Sequence, residues 1–407
     1  MERYIIQRKI SDTMLGAVYE GQLRHSQRRS SVALKCSSLA VAEKLRAGTQ
    51  KRRVDDPQRE WAVVEQLIAS GGHRHVVQCY DQFVSRVNSS APPPNASRTD
   101  NQPEGTNGFD RQLHVPVQGH VQSRGQTQPQ PHTLGQPQTE SQTQMTISEA
   151  GEETADSVSD CDCDSMTVLI SEFCRGGDLH ALLEASPDGR MGERQALQFM
   201  LQIARGVQFL HGLGFAHRDL SLENVLLRNG VCKITDFALA CRVDERSVEC
   251  VGKDLYMAPE VVAMGEDTEE EEEYEGEEHG DDEEEHSGRS VTASNDHDDA
   301  NADDDDDNGE AAARAIAGYD PAKADVWSMG VMLFVMLTGS RVVLLASPQD
   351  KSFMVVRAHG ATALLSAWGM AQGLSSSTLR VLESMLQVDP ARRASLLGVL
   401  RALEQIA

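Results

Sequence analysis

The sequence predicts an α+β fold made of two unequal lobes, and three features carry that reading. Strand-like runs crowd the first part of the 407-residue chain, helical periodicity dominates after Asp178, and two segments of biased composition interrupt the pattern. Tyr4 to Ile10, Ala17 to Leu23 and Ser31 to Cys36 set β-branched and apolar residues at strand spacing. A helical pattern runs from about Gln58 to Ala69, with Trp61, Val64, Leu67 and Ile68 as its apolar positions. Val76 to Val84 and Met166 to Phe173 read as two further strands on either side of the first interruption. The strand-rich lobe therefore takes residues 1–172 and the helical lobe residues 173–407.

The interruptions are compositional. Residues 86–160 are rich in Ser, Thr, Gln, Asn, Pro and Gly and include Pro92, Pro93 and Pro94. Such a stretch buries too little apolar surface to offset the entropy of ordering it, so disorder is expected there. Residues 266–310 hold 24 acidic side chains against one basic one, Arg289. The formal net charge of -25 is thus almost wholly local, and the rest of the chain is close to neutral. An acidic arm of this kind suits a basic protein partner or serves as a solvated spacer, and it offers nothing to nucleic acid or to an acidic membrane. The opening MERYIIQRKI has no secretory apolar core. The run Val326 to Leu337, broken by Ser328 and Gly330, reads as a buried helix. Eight scattered cysteines show no zinc spacing, which fits a reducing cytoplasmic or nuclear setting.

The chemistry-bearing residues fall in a fixed order. VALK ends at Lys35; HRDLSLENVLL spans 217–227, with Asn224 five residues after Asp219. Asp236-Phe237-Ala238 follows, then Tyr256-Met257-Ala258-Pro259-Glu260, then Asp325-Val326-Trp327-Ser328-Met329-Gly330. HRD alone is a weak tripeptide, but five motifs in this order are not a coincidence. The sequence resembles the eukaryotic-type protein kinase family across both lobes.

The resemblance implies a bilobal kinase fold and transfer of the γ-phosphoryl group of ATP, with Mg2+, to Ser or Thr hydroxyls of proteins. Such transfer needs positioning and charge neutralisation more than covalent catalysis. It makes Asp219 the acceptor of the substrate hydroxyl proton, and Asn224 and Asp236 the oxygen ligands of the metal. Lys35 would meet the α and β phosphates, oriented by Glu60 in REWAVVEQL, with Glu65 as the rival. The nucleotide would lie against Ile10, Gly16, Val18, Ala33, Lys35, Glu172, Cys174 and Asp178. Glu172 to Cys174 would offer main chain to adenine, and Ser171 would stand behind it. Phe237, His217 and Val64 would stack as an internal column. Glu260 would pair with Arg393 in DPARR, and Asp325 would anchor the catalytic loop.

Three departures from the family pattern change the expectations. The glycine-rich loop aligns with Ser11 to Val18 and keeps only Gly16, while Asp12 adds a negative charge. Ala238 replaces the last glycine of the metal motif and disfavours positive φ there. Ser221 stands where serine/threonine kinases usually carry Lys, and Lys253 stands where they usually carry Thr after Gly252. These two changes together suggest an exchange, with Lys253 supplying from the activation segment the charge that Ser221 lacks. Asp178 and Glu223 sit at positions that select basic substrates in some relatives. Ser247, alone of its kind between Asp236 and Glu260, is a candidate phosphorylation site for Arg218 to bind. The alternative reading is a pseudokinase that scaffolds partners, in part through the acidic insertion.

Overall fold

The computed structural model describes residues 3–24, 31–48, 55–87, 164–265 and 318–407, and the fold is α+β as expected. Apart from residues 86 and 87, the Ser/Gln-rich insertion expected over 86–160 lies outside the described residues, as does the acidic one over 266–310. The strand-rich part is one antiparallel sheet in the order β1-β2-β3-β5-β4. Its strands are β1 (Tyr4–Thr13), β2 (Gly16–Leu23), β3 (Ser31–Ser38), β4 (Cys79–Val87) and β5 (Asp164–Glu172).

Register sorts the side chains of this sheet into two faces, because successive residues of a strand point to opposite sides. Leu34 and Ile170 are opposite one another, and with Val168, Val32 and Cys36 they build a small apolar cluster on one face. The other face carries Val18 opposite Lys35, Lys35 opposite Leu169, and Ala33 opposite Ser171. One face therefore holds the minor core and the other holds the predicted nucleotide-facing residues. β1 runs three residues beyond the expected end at Ile10, to Thr13. Met14 and Leu15 then turn the chain in a two-residue hairpin, with a register irregularity between Lys9 and Ser11. A second difference is α1 (Leu39–Gly48), a helix the sequence did not announce. α2 (Pro57–Ala69) was expected; Asp56 caps it through the Gln58 amide and Pro57 starts it, so its boundary follows from ordinary capping chemistry.

The helical part is built on α3 (Leu179–Glu184), α4 (Glu193–Gly212) and α5 (Pro321–Thr338). α6 (Lys351–His359), α7 (Ala361–Ala367), α8 (Ser376–Met385) and α9 (Leu396–Ile406) complete it. α5 is buried nearly all round, which explains the absence of a polar stripe in its sequence. Asp320 caps its start and Gly339, at φ 68°, ends it in the left-handed region. Two short ribbons lie among the helices: β6 (Phe215–Ala216) with β9 (Cys241–Arg242), and β7 (Val225–Arg228) with β8 (Val231–Ile234). The β7–β8 ribbon is stitched to the sheet side, with Val77 N donating to Ile234 O and Ile234 N to His75 O. No described helix is long and apolar enough to cross a membrane.

A buried long-range ion pair ties two segments of the helical part together. The Arg393 guanidinium is fully buried, meets both oxygens of Glu260 at 2.5 and 2.8 Å, and stacks over Trp327 at 5.2 Å. Removing one partner of such a pair leaves the other charge buried without compensation. Arg393→Ala is therefore expected to cost about 3–5 kcal/mol, read as a lowered midpoint in urea unfolding with folded-state activity tested separately.

Candidate active site

The two motif-bearing parts of the chain meet at Lys35. From β3 its Nζ reaches Glu60 Oε1 on α2 at 2.8 Å and Asp236 Oδ1 at 2.7 Å. Burial works against the ammonium charge, but the two carboxylates outweigh it and raise the Lys35 pKa. Glu60 lies on the inward face of α2 and Glu65 on its exposed face, so the helix itself chooses between the two. The same lysine holds the Asp236 carboxyl below its ordinary range, although burial alone would raise it.

Asp219 and Asn224 are joined within one loop. Asn224 Nδ2 donates to Asp219 O and Asp219 Oδ2, both at 2.7 Å, which turns its amide oxygen away from Asp219. That oxygen and the carboxylate of Asp236 are hard oxygen donors, a set that fits a magnesium ion. The loop's unusual backbone is held from below. Arg218 and Asp236 both lie at positive φ, 64° and 66°, a conformation that costs non-glycine residues of the order of 1–3 kcal/mol. Buried Asp325 fixes the first by accepting from His217 N at 2.9 Å and Arg218 N at 2.8 Å, and from His211 Nε2 at 2.8 Å. His217 and Phe237 meet edge to face at 5.7 Å, and Val64 is buried in the same core.

Ser221 is met by a cation from the segment that follows Gly252. Lys253 Nζ donates to Ser221 Oγ at 2.6 Å and lies 3.7 Å from Asp219 Oδ2, and its backbone amide donates to Asp219 Oδ1 at 3.2 Å. Gly252 makes this approach possible. At φ 110° a side chain there would be strained, and its Cβ would stand 2.7 Å from the Arg218 carbonyl. Burial raises the Asp219 pKa, and the Lys253 charge opposes that rise. Lys253 is also 3.8 Å from Glu223 Oε2, so Glu223 already has a cation beside it.

The remaining predicted residues take different places. Val18 and Ala33 share the Lys35 face of the sheet, and Ile10 sits at the register irregularity in β1. Gly16 backs onto β3, where a Cβ would stand 2.1 Å from the Cys36 carbonyl, so packing explains this glycine without any ligand. Asp12 pairs with Lys9, which offsets the charge that looked unfavourable in sequence. Positive φ falls on Asp236 and not on Ala238, so alanine carries no backbone penalty in this conformation. Cys174 is buried just beyond β5. The Glu172 amide donates to Gln78 O, and its carboxylate accepts from Gln78 N and pairs with Lys233 at 2.7 Å and with Arg228. Asp178 caps α3, accepting from Ala181 N at 2.7 Å. Ser247, the candidate phosphorylation site, is buried, with its hydroxyl accepting from Arg218 Nη1 at 2.8 Å.

Sequence reasoning passed over two acidic residues. Asp55, just before α2, has its pKa raised by burial and then by the charge of Asp236. Glu249 pairs with Arg59 and Arg218. The separation of 190 positions between Arg59 and Glu249 hid that contact.

The family model of the protein kinase domain matches residues 152–277, which include Asp219, Asn224 and Asp236. The chain is 28% identical over 240 residues to "CBL-interacting protein kinase 16" of Oryza sativa subsp. japonica, covering 57% of this chain and 39% of that protein. It is 27% identical over 242 residues to "CBL-interacting serine/threonine-protein kinase 5" of Arabidopsis thaliana, with 57% and 40% covered. Against "Serine/threonine-protein kinase 33" of Bos taurus it is 24% identical over 239 residues, with 55% and 37% covered. The match thus spans about two fifths of the length of these relatives. With the motif order and the fold, these likenesses support a eukaryotic-type protein kinase family, through a protein kinase domain matched at residues 152–277.

Proposed function

We propose that this chain is an active protein kinase, transferring the γ-phosphoryl group of ATP to Ser or Thr hydroxyls of protein substrates. The observation that carries the reading is Lys35, held between Glu60 at 2.8 Å and Asp236 at 2.7 Å although 201 residues separate it from Asp236. A chain that only binds partners has no chemical need for that arrangement beside Asp219 and Asn224.

The nucleotide would enter between the sheet face bearing Val18, Ala33 and Lys35 and the loop bearing Asp219, close to the junction near Glu172 that divides the lobes. Ile10, Gly16, Cys174 and Asp178 would border it. Lys35 would meet its phosphates. Asn224 and Asp236 would hold Mg2+, which when bound neutralises phosphate charge. Asp219 would accept the proton of the attacking hydroxyl, and Lys253 would place its charge beside the transferring group. Tyr256-Met257-Ala258-Pro259-Glu260 favours Ser/Thr over Tyr acceptors. A preference for basic substrates rests on Asp178 and Glu223, and both already have partners, a helix cap and Lys253. A basic partner for the acidic insertion and a cytoplasmic or nuclear location belong to the same reading.

The test is transfer from γ-labelled ATP to a generic basic protein, followed by identification of the labelled amino acid. Label on phosphoserine or phosphothreonine that requires Mg2+ supports the proposal. Binding of protein without any transfer would favour the scaffold reading instead.

A further inference from the structure

A second knot of buried charge lies between Cys241 and Tyr256, centred on Glu249. Arg59 grips its carboxylate with two guanidinium nitrogens, each at 2.8 Å, and Arg218 Nη2 stands 2.8 Å from Oε2. The backbone around it is tied as well. Tyr319 Oη donates to Glu249 O at 2.9 Å, the Glu249 amide donates to Ser247 Oγ at 3.3 Å, and Ser247 and Tyr319 exchange two backbone hydrogen bonds.

The positions of the two arginines give the knot its meaning. Arg59 immediately precedes Glu60 on α2, and neighbouring residues of a helix keep a fixed angle about its axis. Pinning Arg59 therefore fixes the rotation of α2 that aims Glu60 at Lys35. Arg218 immediately precedes Asp219 and occupies a left-handed conformation, so pinning its side chain restrains the loop that presents Asp219. One carboxylate thus touches the neighbours of two residues of the proposed machinery, which lie 159 positions apart in the chain.

We infer that Glu249 is a positioning residue for phosphoryl transfer, a fixed negative charge that aligns α2 with the catalytic loop without any added phosphate. Ser247 supports this, since its buried hydroxyl is engaged with Arg218 and is not presented to a modifying enzyme. The two arginines also hold the Glu249 pKa down to about 2 against the effect of burial, so the charge persists at any physiological pH.

The inference rests on the kinase reading, and the experiment keeps the two apart. Wild type, Glu249→Gln, Arg59→Gln and the double variant are purified, treated with phosphatase, checked for folding by thermal melting and assayed for transfer. The expected result is full wild-type turnover after phosphatase treatment and a fall in kcat of at least about tenfold in each single variant. The loss in the double variant should be no larger than in Glu249→Gln alone, because that substitution already removes the Arg59 contact. Additive losses, an unchanged kcat in Glu249→Gln, or a wild type silenced by phosphatase would each overturn the inference. Should wild type transfer no phosphate at all, the kinase reading fails. The clamp is then judged by hydrogen exchange, where Glu249→Gln is expected to deprotect α2 and residues 247–256, and unchanged protection counts against it.

Discussion

Asp219→Asn is expected to lower kcat by about 10³-fold while nucleotide affinity stays within about threefold of wild type. Proton transfer by a positioned base contributes roughly 10²–10⁴-fold, and an amide of the same shape cannot accept that proton. Both carboxylate oxygens of Asp219 accept hydrogen bonds, from Asn224 Nδ2 and from Lys253 N, so an amide nitrogen in place of either oxygen faces a donor. The measurement is steady-state transfer from ATP beside direct titration of a fluorescent nucleotide. A loss below tenfold would move the base to another residue.

Lys253→Met ranks second, with an expected fall in kcat of about 10²-fold, the order found when one preorganised charge is removed from a transition state. A pH signature accompanies it. Burial raises the Asp219 pKa and Lys253 pulls it back down, so removing the cation lets the pKa rise further. As the proposed base, Asp219 acts only when deprotonated, so the acid limb of kcat is expected to move to higher pH in this variant. The reciprocal exchange gives the sharper test. Ser221→Lys with Lys253→Thr returns the cation to the catalytic loop, and turnover is expected to recover most of what Lys253→Thr alone loses. A double variant as slow as the single one would mean that Lys253 acts otherwise.

Much of this centre was legible because its residues sit in short, ordered motifs, and the contact between Ser221 and Lys253 was foreshadowed by two departures from the family pattern. What escaped was set by the third dimension. α1 has apolar residues but they form no buried stripe, Ala42 being its one deeply buried described side chain, so no strong periodicity marked it. The glycine-rich loop looked eroded in sequence, yet the chain closes it as a hairpin and balances Asp12 with Lys9. Ala238 looked costly because a glycine was missing, whereas the strained φ belongs to Asp236, two residues earlier. The Glu249 contacts join residues from widely separated stretches, and no local pattern could announce them.

The β1–β2 hairpin bears on kinetics as well as on binding. Its tip is nailed down: Leu15 is buried, its carbonyl accepts from Ser38 N at 2.8 Å, and Gly16 lies against the Cys36 carbonyl. A roof fastened in this way has little freedom to lift as an independent flap. If the chain binds nucleotide as proposed, its exchange is expected to need movement of the sheet about the end of β5, where Lys233 and Arg228 hold Glu172. On that reading product departure, more than chemistry, is expected to set the pace of turnover.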